Sequence, residues 1–166
     1  NQDTPQDATP DNKEDNQQDT PPSLITPIAP ETLNPASVIT QNNYDNELDR
    51  AAYTIALEAY KQGGAKKAID PMRNFIKNHP NSIYVSNAYF WMGEFYLALE
   101  PVNYKRAQAN YAEVVNRFPQ SAKAATAIYR LYSMAKNVDQ NIQLATQYAN
   151  MLKNNYPESE EAGFLK

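Results

Sequence analysis

From Glu47 to the end of the chain, apolar residues recur every three or four positions, the spacing of one helix face. Three stretches carry the same comb. Ala68, Met72, Phe75 and His79 form the first, Ala107, Tyr111, Val114 and Phe118 the second, and Ala145, Ala149, Leu152 and Tyr156 the third. Each is an i, i+4, i+7, i+11 stripe, and each runs into a proline: Pro80, Pro119 and Pro157, spaced 39 and 38 residues apart. Two residues after each proline stands a serine, Ser82, Ser121 or Ser159, suited to capping the helix that follows. Another apolar-periodic stretch precedes each comb. "LDRAAYTIALEAYKQ" ends at Gly63-Gly64, "SIYVSNAYFWMGEFYLALE" ends at Pro101, and "SAKAATAIYRLYSMAK" ends before Asp139. Asn103 and Asp139 are placed to cap the second helices. The pattern predicts an all-α chain of three helix-turn-helix units, at about residues 47–80, 82–119 and 121–157, with a short closing helix over 159–166. Pro71 falls inside the first comb, where a proline removes a backbone hydrogen bond; a kink, or a helix starting close to Pro71, is expected.

Residues 1–46 have a different composition. Up to Asn43 there is no aromatic residue, and Asn, Gln, Asp, Thr and Pro dominate. Such a segment buries too little apolar surface to offset its ordering entropy, so a disordered arm with polyproline-like patches is expected. Its one mildly apolar piece, "SLITPIAP", is read as linker rather than docking motif. Eight of the 19 acidic residues and one of the 15 basic ones lie in this arm, which therefore carries −7 while the remainder carries +3. So small a positive charge over the repeats is no nucleic-acid footprint. There is no cysteine, hence no thiolate nucleophile, disulfide or cysteine metal site. No apolar run is long enough to span a membrane. The chain starts at Asn1, and a removed signal peptide is the expectation.

The first unit, "AAYTIALEAYKQGGAKKAIDPMRNFIKNHPNS", resembles a tetratricopeptide repeat without a gap. In the second, Gly93, Tyr96, Tyr104, Ala107, Tyr111 and Pro119 fall on the signature positions once two residues are allowed into the turn at "EPVN". The third matches in its second helix. The resemblance implies an α-solenoid of three such repeats, a capping helix and a concave groove lined by the first helices. Its partner-binding positions are then Arg50, Tyr53, Leu57, Tyr60 and Lys61 in unit one. They are Asn87, Phe90, Glu94 and Leu97 in unit two, and Thr126, Tyr129, Ser133 and Lys136 in unit three. Aromatic anchors ringed by polar groups suit a peptide groove, with Arg50, Lys61 and Glu94 setting orientation.

The phrasing "NAYFWMGEFYLA" after "PNS", followed by "YKRAQANYAEVVNRFPQSAKAATAIYRL", is similar to the C-terminal domain of the Tol-Pal-associated cell division coordinator family, CpoB/YbgF, over about residues 47–166. That resemblance implies a periplasmic adaptor that binds TolA and links outer-membrane constriction to septal peptidoglycan synthesis, with a septal synthase as a further partner. Members of that family carry an N-terminal coiled coil, whereas residues 1–46 have no heptad pattern. Trimerisation is therefore left open, and repeat domains can also self-associate through their grooves or ends. Two alternatives are weighed. The outer-membrane assembly lipoprotein has about five such repeats and a lipidated cysteine, and this chain has three and none. A peptidoglycan-cleaving enzyme needs a separate catalytic domain for which no length remains.

Candidate chemistry yields to packing. His79, the only histidine, stands where Phe118 and Tyr156 stand, which marks a packing position at a helix end. Glu158, Glu160 and Glu161 form the one dense acidic patch, yet they belong to the first turn of the closing helix, where the dipole favours them. No catalytic residue, metal or cofactor is expected.

Overall fold

The computed structural model describes residues 35–165, with side chains from Asp45 onward. Its elements are α1 (Pro35–Asn78), α2 (Val85–Leu97), α3 (Tyr104–Arg117), α4 (Ala124–Asn137), α5 (Ile142–Asn155) and α6 (Glu160–Gly163). There are no strands among the described residues. The expected disordered arm lies outside the described residues as far as position 34.

Helix α1 is two helices joined at Gly64, whose φ of 71° and ψ of −169° lie in a region essentially confined to glycine. Each α-helix from α1 to α5 packs on the next in sequence, and α6 packs on both α4 and α5. The three units are therefore α1 with its break, α2 with α3, and α4 with α5, closed by α6: an α-solenoid of tetratricopeptide type.

The combs are its core. Ala68, Met72, Phe75, Ala107, Tyr111, Val114, Ala145 and Leu152 are all buried, each large side chain contributing on the order of 2 kcal/mol through the apolar area withdrawn from water. The proline register is a repeated hydrogen-bond pattern. The amides of His79, Phe118 and Tyr156 each donate to the carbonyl four residues back at 2.9 Å. The carbonyls of those same three residues accept from the Ser82, Ser121 and Ser159 amides at 3.1, 2.9 and 3.0 Å. This is one β-turn made three times, with proline at the position whose φ it presets and whose amide the turn does not use. Ser82 and Ser121 Oγ accept from the amides of Tyr84 and Lys123, and Ser159 Oγ accepts from Ala162 N–H. Only Ser159 caps the helix that follows it; α2 and α4 start after Tyr84 and Lys123 without a side-chain cap, so the capping expected of Ser82 and Ser121 is not realised.

The last residue of each comb reaches backward. His79 Nδ1 lies 2.7 Å from Asp49 Oδ1 with its ring stacked on Phe75, Phe118 lies against Tyr89, and Tyr156 donates its hydroxyl hydrogen to the Pro119 carbonyl. His79 is thus a packing residue.

Three further expectations are corrected. Pro71 neither starts nor breaks its helix: the dihedrals are helical from residue 65 to 78 and the only break is at Gly64. The missing Pro71 amide orphans only the carbonyl of Lys67, an exposed residue within reach of water. Asp139 is not the cap of α5. Gln140 takes a φ of 52°, the Asn141 amide bonds Ala135 O, and Asn141 Oδ1 accepts from Leu144 N–H at 3.0 Å. Asp139 instead accepts from Gln108 at 2.7 Å. Asn103 does cap α3, accepting from Arg106 N–H. Finally, α1 begins at Pro35 rather than near Glu47. Proline suits a first helical turn, no glycine or second proline follows until Gly63, and extending an existing helix is far cheaper than nucleating one.

Candidate interaction face

Side-chain contacts join the first helices of successive units into one face. From α1 to α2, Tyr53 stacks on Tyr84 at 5.1 Å and Tyr60 stacks on Phe95 at 5.0 Å. Between α2 and α4, the Glu94 carboxylate accepts from Arg130 Nε–H at 2.8 Å and Nη2–H at 3.2 Å, a two-toothed pairing. Lys123 lies over the Phe90 ring at 4.9 Å. From α4 to α6, Thr126 donates its hydroxyl hydrogen to Glu161 and Tyr129 meets Phe164 edge-on at 5.5 Å.

The expected groove residues divide by exposure. Arg50, Tyr60, Lys61 and Lys136 are exposed, while Leu57, Asn87, Glu94, Leu97, Thr126, Tyr129 and Ser133 are half-buried. Tyr53 and Phe90 are buried, at 8% and 6% exposure, and are core residues rather than anchors. Tyr53 fills the space between Phe75 and Tyr84, and Phe90 packs 5.6 Å from Tyr111. Thr126 and Tyr129 are occupied by the closing helix and the residue after it. Glu94 is committed internally as well, since it also accepts from Tyr111 O–H. Burial and this bond to Glu94 push the Tyr111 hydroxyl well above the ordinary tyrosine value, and the Glu94 hydrogen bond raises Arg130 against the effect of burial.

Two contributors lie outside the expected set. Trp91 is half-buried, 6.2 Å from Tyr60, and Arg130 is half-buried over Glu94. Helical spacing carries the signal for both: Asn87, Trp91 and Glu94, and likewise Thr126, Arg130 and Ser133, are i, i+4, i+7 sets. Because α2, VSNAYFWMGEFYL, is apolar nearly all round, its composition hides the half of Trp91 that stays accessible.

The face can offer aromatic surface from Tyr60 and Trp91 beside a charged pair and the exposed Lys61 and Lys136. Among the described residues no group of three or more His, Asp or Glu side chains gathers as a metal site, and no helix is long and apolar enough to cross a membrane.

Residues 87–121, covering most of α2, all of α3 and the turn after it, match the tetratricopeptide repeat family. This supports a tetratricopeptide-repeat domain, and such repeats are generally protein-interaction modules. No curated protein matches the chain.

Proposed function

We propose that the chain is a non-enzymatic adaptor of the Gram-negative periplasm, holding a segment of an envelope protein against the face of its first helices. By its resemblance to the Tol-Pal-associated coordinators, the partner is TolA, and the task is to couple outer-membrane constriction to septal peptidoglycan synthesis. The observation that carries the reading is the continuity of that face across all three units, with Tyr60 and Trp91 accessible beside the Glu94–Arg130 pair. Aromatic side chains that are partly covered and laterally supported lose little entropy on binding, which is what an anchor needs. Lys61 and Lys136 supply orientation at the edges.

Trp91 is the only tryptophan, so its emission reports directly on this face. Titrating the chain with the soluble domains of TolA from the same organism is expected to give a saturable change in emission. Tyr60→Ala should weaken binding by about tenfold, the scale of one lost anchor. Unchanged emission together with no calorimetric heat at high micromolar partner would overturn the proposal.

A further inference from the structure

A second cleft opens between the later arm of α1, α2 and α3. It encloses about 370 Å³, and its apolar lining comes from Ile76, Met92 and the Tyr89 ring. Arg73, Lys77 and Arg106 also line it. The two guanidinium groups converge on one atom: Arg73 Nη2–H and Arg106 Nη1–H donate to Tyr96 Oη at 3.2 and 3.1 Å. With its oxygen accepting twice, the Tyr96 hydroxyl keeps its own hydrogen to donate. Arg73 also holds Asp70, whereas Lys77 and Arg106 have no carboxylate partner among the described residues. Arg117 and Glu113 pair with each other, Arg117 also donating to Tyr89.

The repeat provides an internal control. Shifting by the 39- and 38-residue spacings of the prolines carries Arg73 to Ala112, Lys77 to Asn116, Tyr96 to Ala135 and Arg106 to Leu144. The corresponding junction has a smaller cleft of about 270 Å³, lined by Ala112, Leu131, Leu144 and Tyr148 with Asp139 and no cation. Stacking one unit on the next therefore does not require the basic set. Like charges gathered in a cleft repel one another, so the first junction carries an electrostatic cost that the second avoids.

We propose that this cleft is a second binding site, taking the carboxylate of an acidic peptide segment whose neighbouring apolar side chain fills the floor. Arg73, Arg106 and the Tyr96 hydroxyl surround the carboxylate position, and Lys77 stands beside it. The cleft is within the range of small-ligand pockets and larger than a single inorganic anion needs. A bare anion would also leave the accessible Ile76 and Tyr89 surfaces wet. A peptide presenting glutamate or aspartate beside leucine satisfies both halves of the cleft.

The test is a calorimetric titration of the whole chain with a short unlabelled peptide alternating glutamate and leucine, acetylated and amidated so that only side-chain carboxylates are offered. A glutamine–leucine peptide and inorganic phosphate serve as competitors. The acidic peptide is expected to bind and the glutamine peptide not to. Arg73→Gln and Arg106→Gln should each weaken binding by about tenfold or more, as for a lost partner of a charged hydrogen bond. Lys105→Gln, beside Arg106 but outside the cleft, should leave it unchanged. Amide shifts at Ile76, Tyr96 and Asn110 in the unaltered chain give a readout independent of any variant's folding. Equal binding of the glutamine peptide, equal loss with Lys105→Gln, or displacement by phosphate at the peptide's own concentration would each overturn the proposal. So would shifts confined to the Trp91 face.

Discussion

Gly93 and Gly64 show two different reasons for a glycine. At Gly93 the backbone is ordinary helix, but a Cβ would lie 2.5 Å from the Tyr111 ring, so the missing methyl lets α2 and α3 close together. Gly93→Ala should cost about 1–3 kcal/mol by overpacking and loosen the Tyr111–Glu94–Arg130 network, seen as a lower urea midpoint. At Gly64 nothing lies within 4 Å of the position a Cβ would take, and the cost of adding one is purely conformational, φ being +71°. Gly64→Ala should also cost about 1–3 kcal/mol, with no repacking of the core. Tyr111 makes a pH prediction. Burial and the bond to Glu94 raise its hydroxyl pKa in the fold, so the unfolded chain gives up that proton first. The resulting stability is whole below about pH 10, where an ordinary tyrosine titrates, and is lost progressively as pH rises above it. Tyr111→Phe should flatten this alkaline decline in denaturant midpoint while costing about 1 kcal/mol at neutral pH. Gly93 opposite Tyr111 is legible as a signature pair; the Glu94–Arg130 bond is not, because it joins helices of different units 36 residues apart.

At the scale of the element, what the sequence carries best is the local register: comb, proline, serine. Those features are set by contacts within about four residues, and each reappears three times in the hydrogen bonds of the turns. What it carries poorly depends on competition between neighbours. Pro71 reads as a breaker by its own chemistry, yet the nearby Gly64 has already taken the bend, leaving Pro71 inside a helix held by Ala68, Met72 and Phe75. Pro71→Ala should therefore restore a hydrogen bond to Lys67 O and stabilise the chain by about 1–2 kcal/mol, allowing for the entropy the unfolded chain regains. A fall in thermal midpoint would show that the ring's own packing matters more. The cap of α5 turns on one residue, Gln140, whose left-handed conformation shifts the start of the helix to Asn141. Asn141→Ala should cost about 1 kcal/mol and Asp139→Ala less, since only the former leaves a first-turn amide unpaired.

Across the described residues the stack offers two different surfaces. The first helices present aromatic area with paired charge, and a basic cleft opens at one junction only, between the later arm of α1, α2 and α3. Composition alone hides this, because the repeats carry only +3 and the sum says nothing of where the cations gather. Of the residues expected in the groove, Tyr53 and Phe90 are buried in the core, and the closing segment packs against Thr126 and Tyr129. The measurement that tests the adaptor reading most directly is an amide chemical-shift titration of the isotope-labelled chain with the soluble domains of TolA. Shifts clustered on Tyr60, Lys61, Trp91, Leu97, Arg130 and Lys136 are the expected result. No shifts at high micromolar partner, or shifts gathered around Arg73 and Arg106 instead, would contradict it.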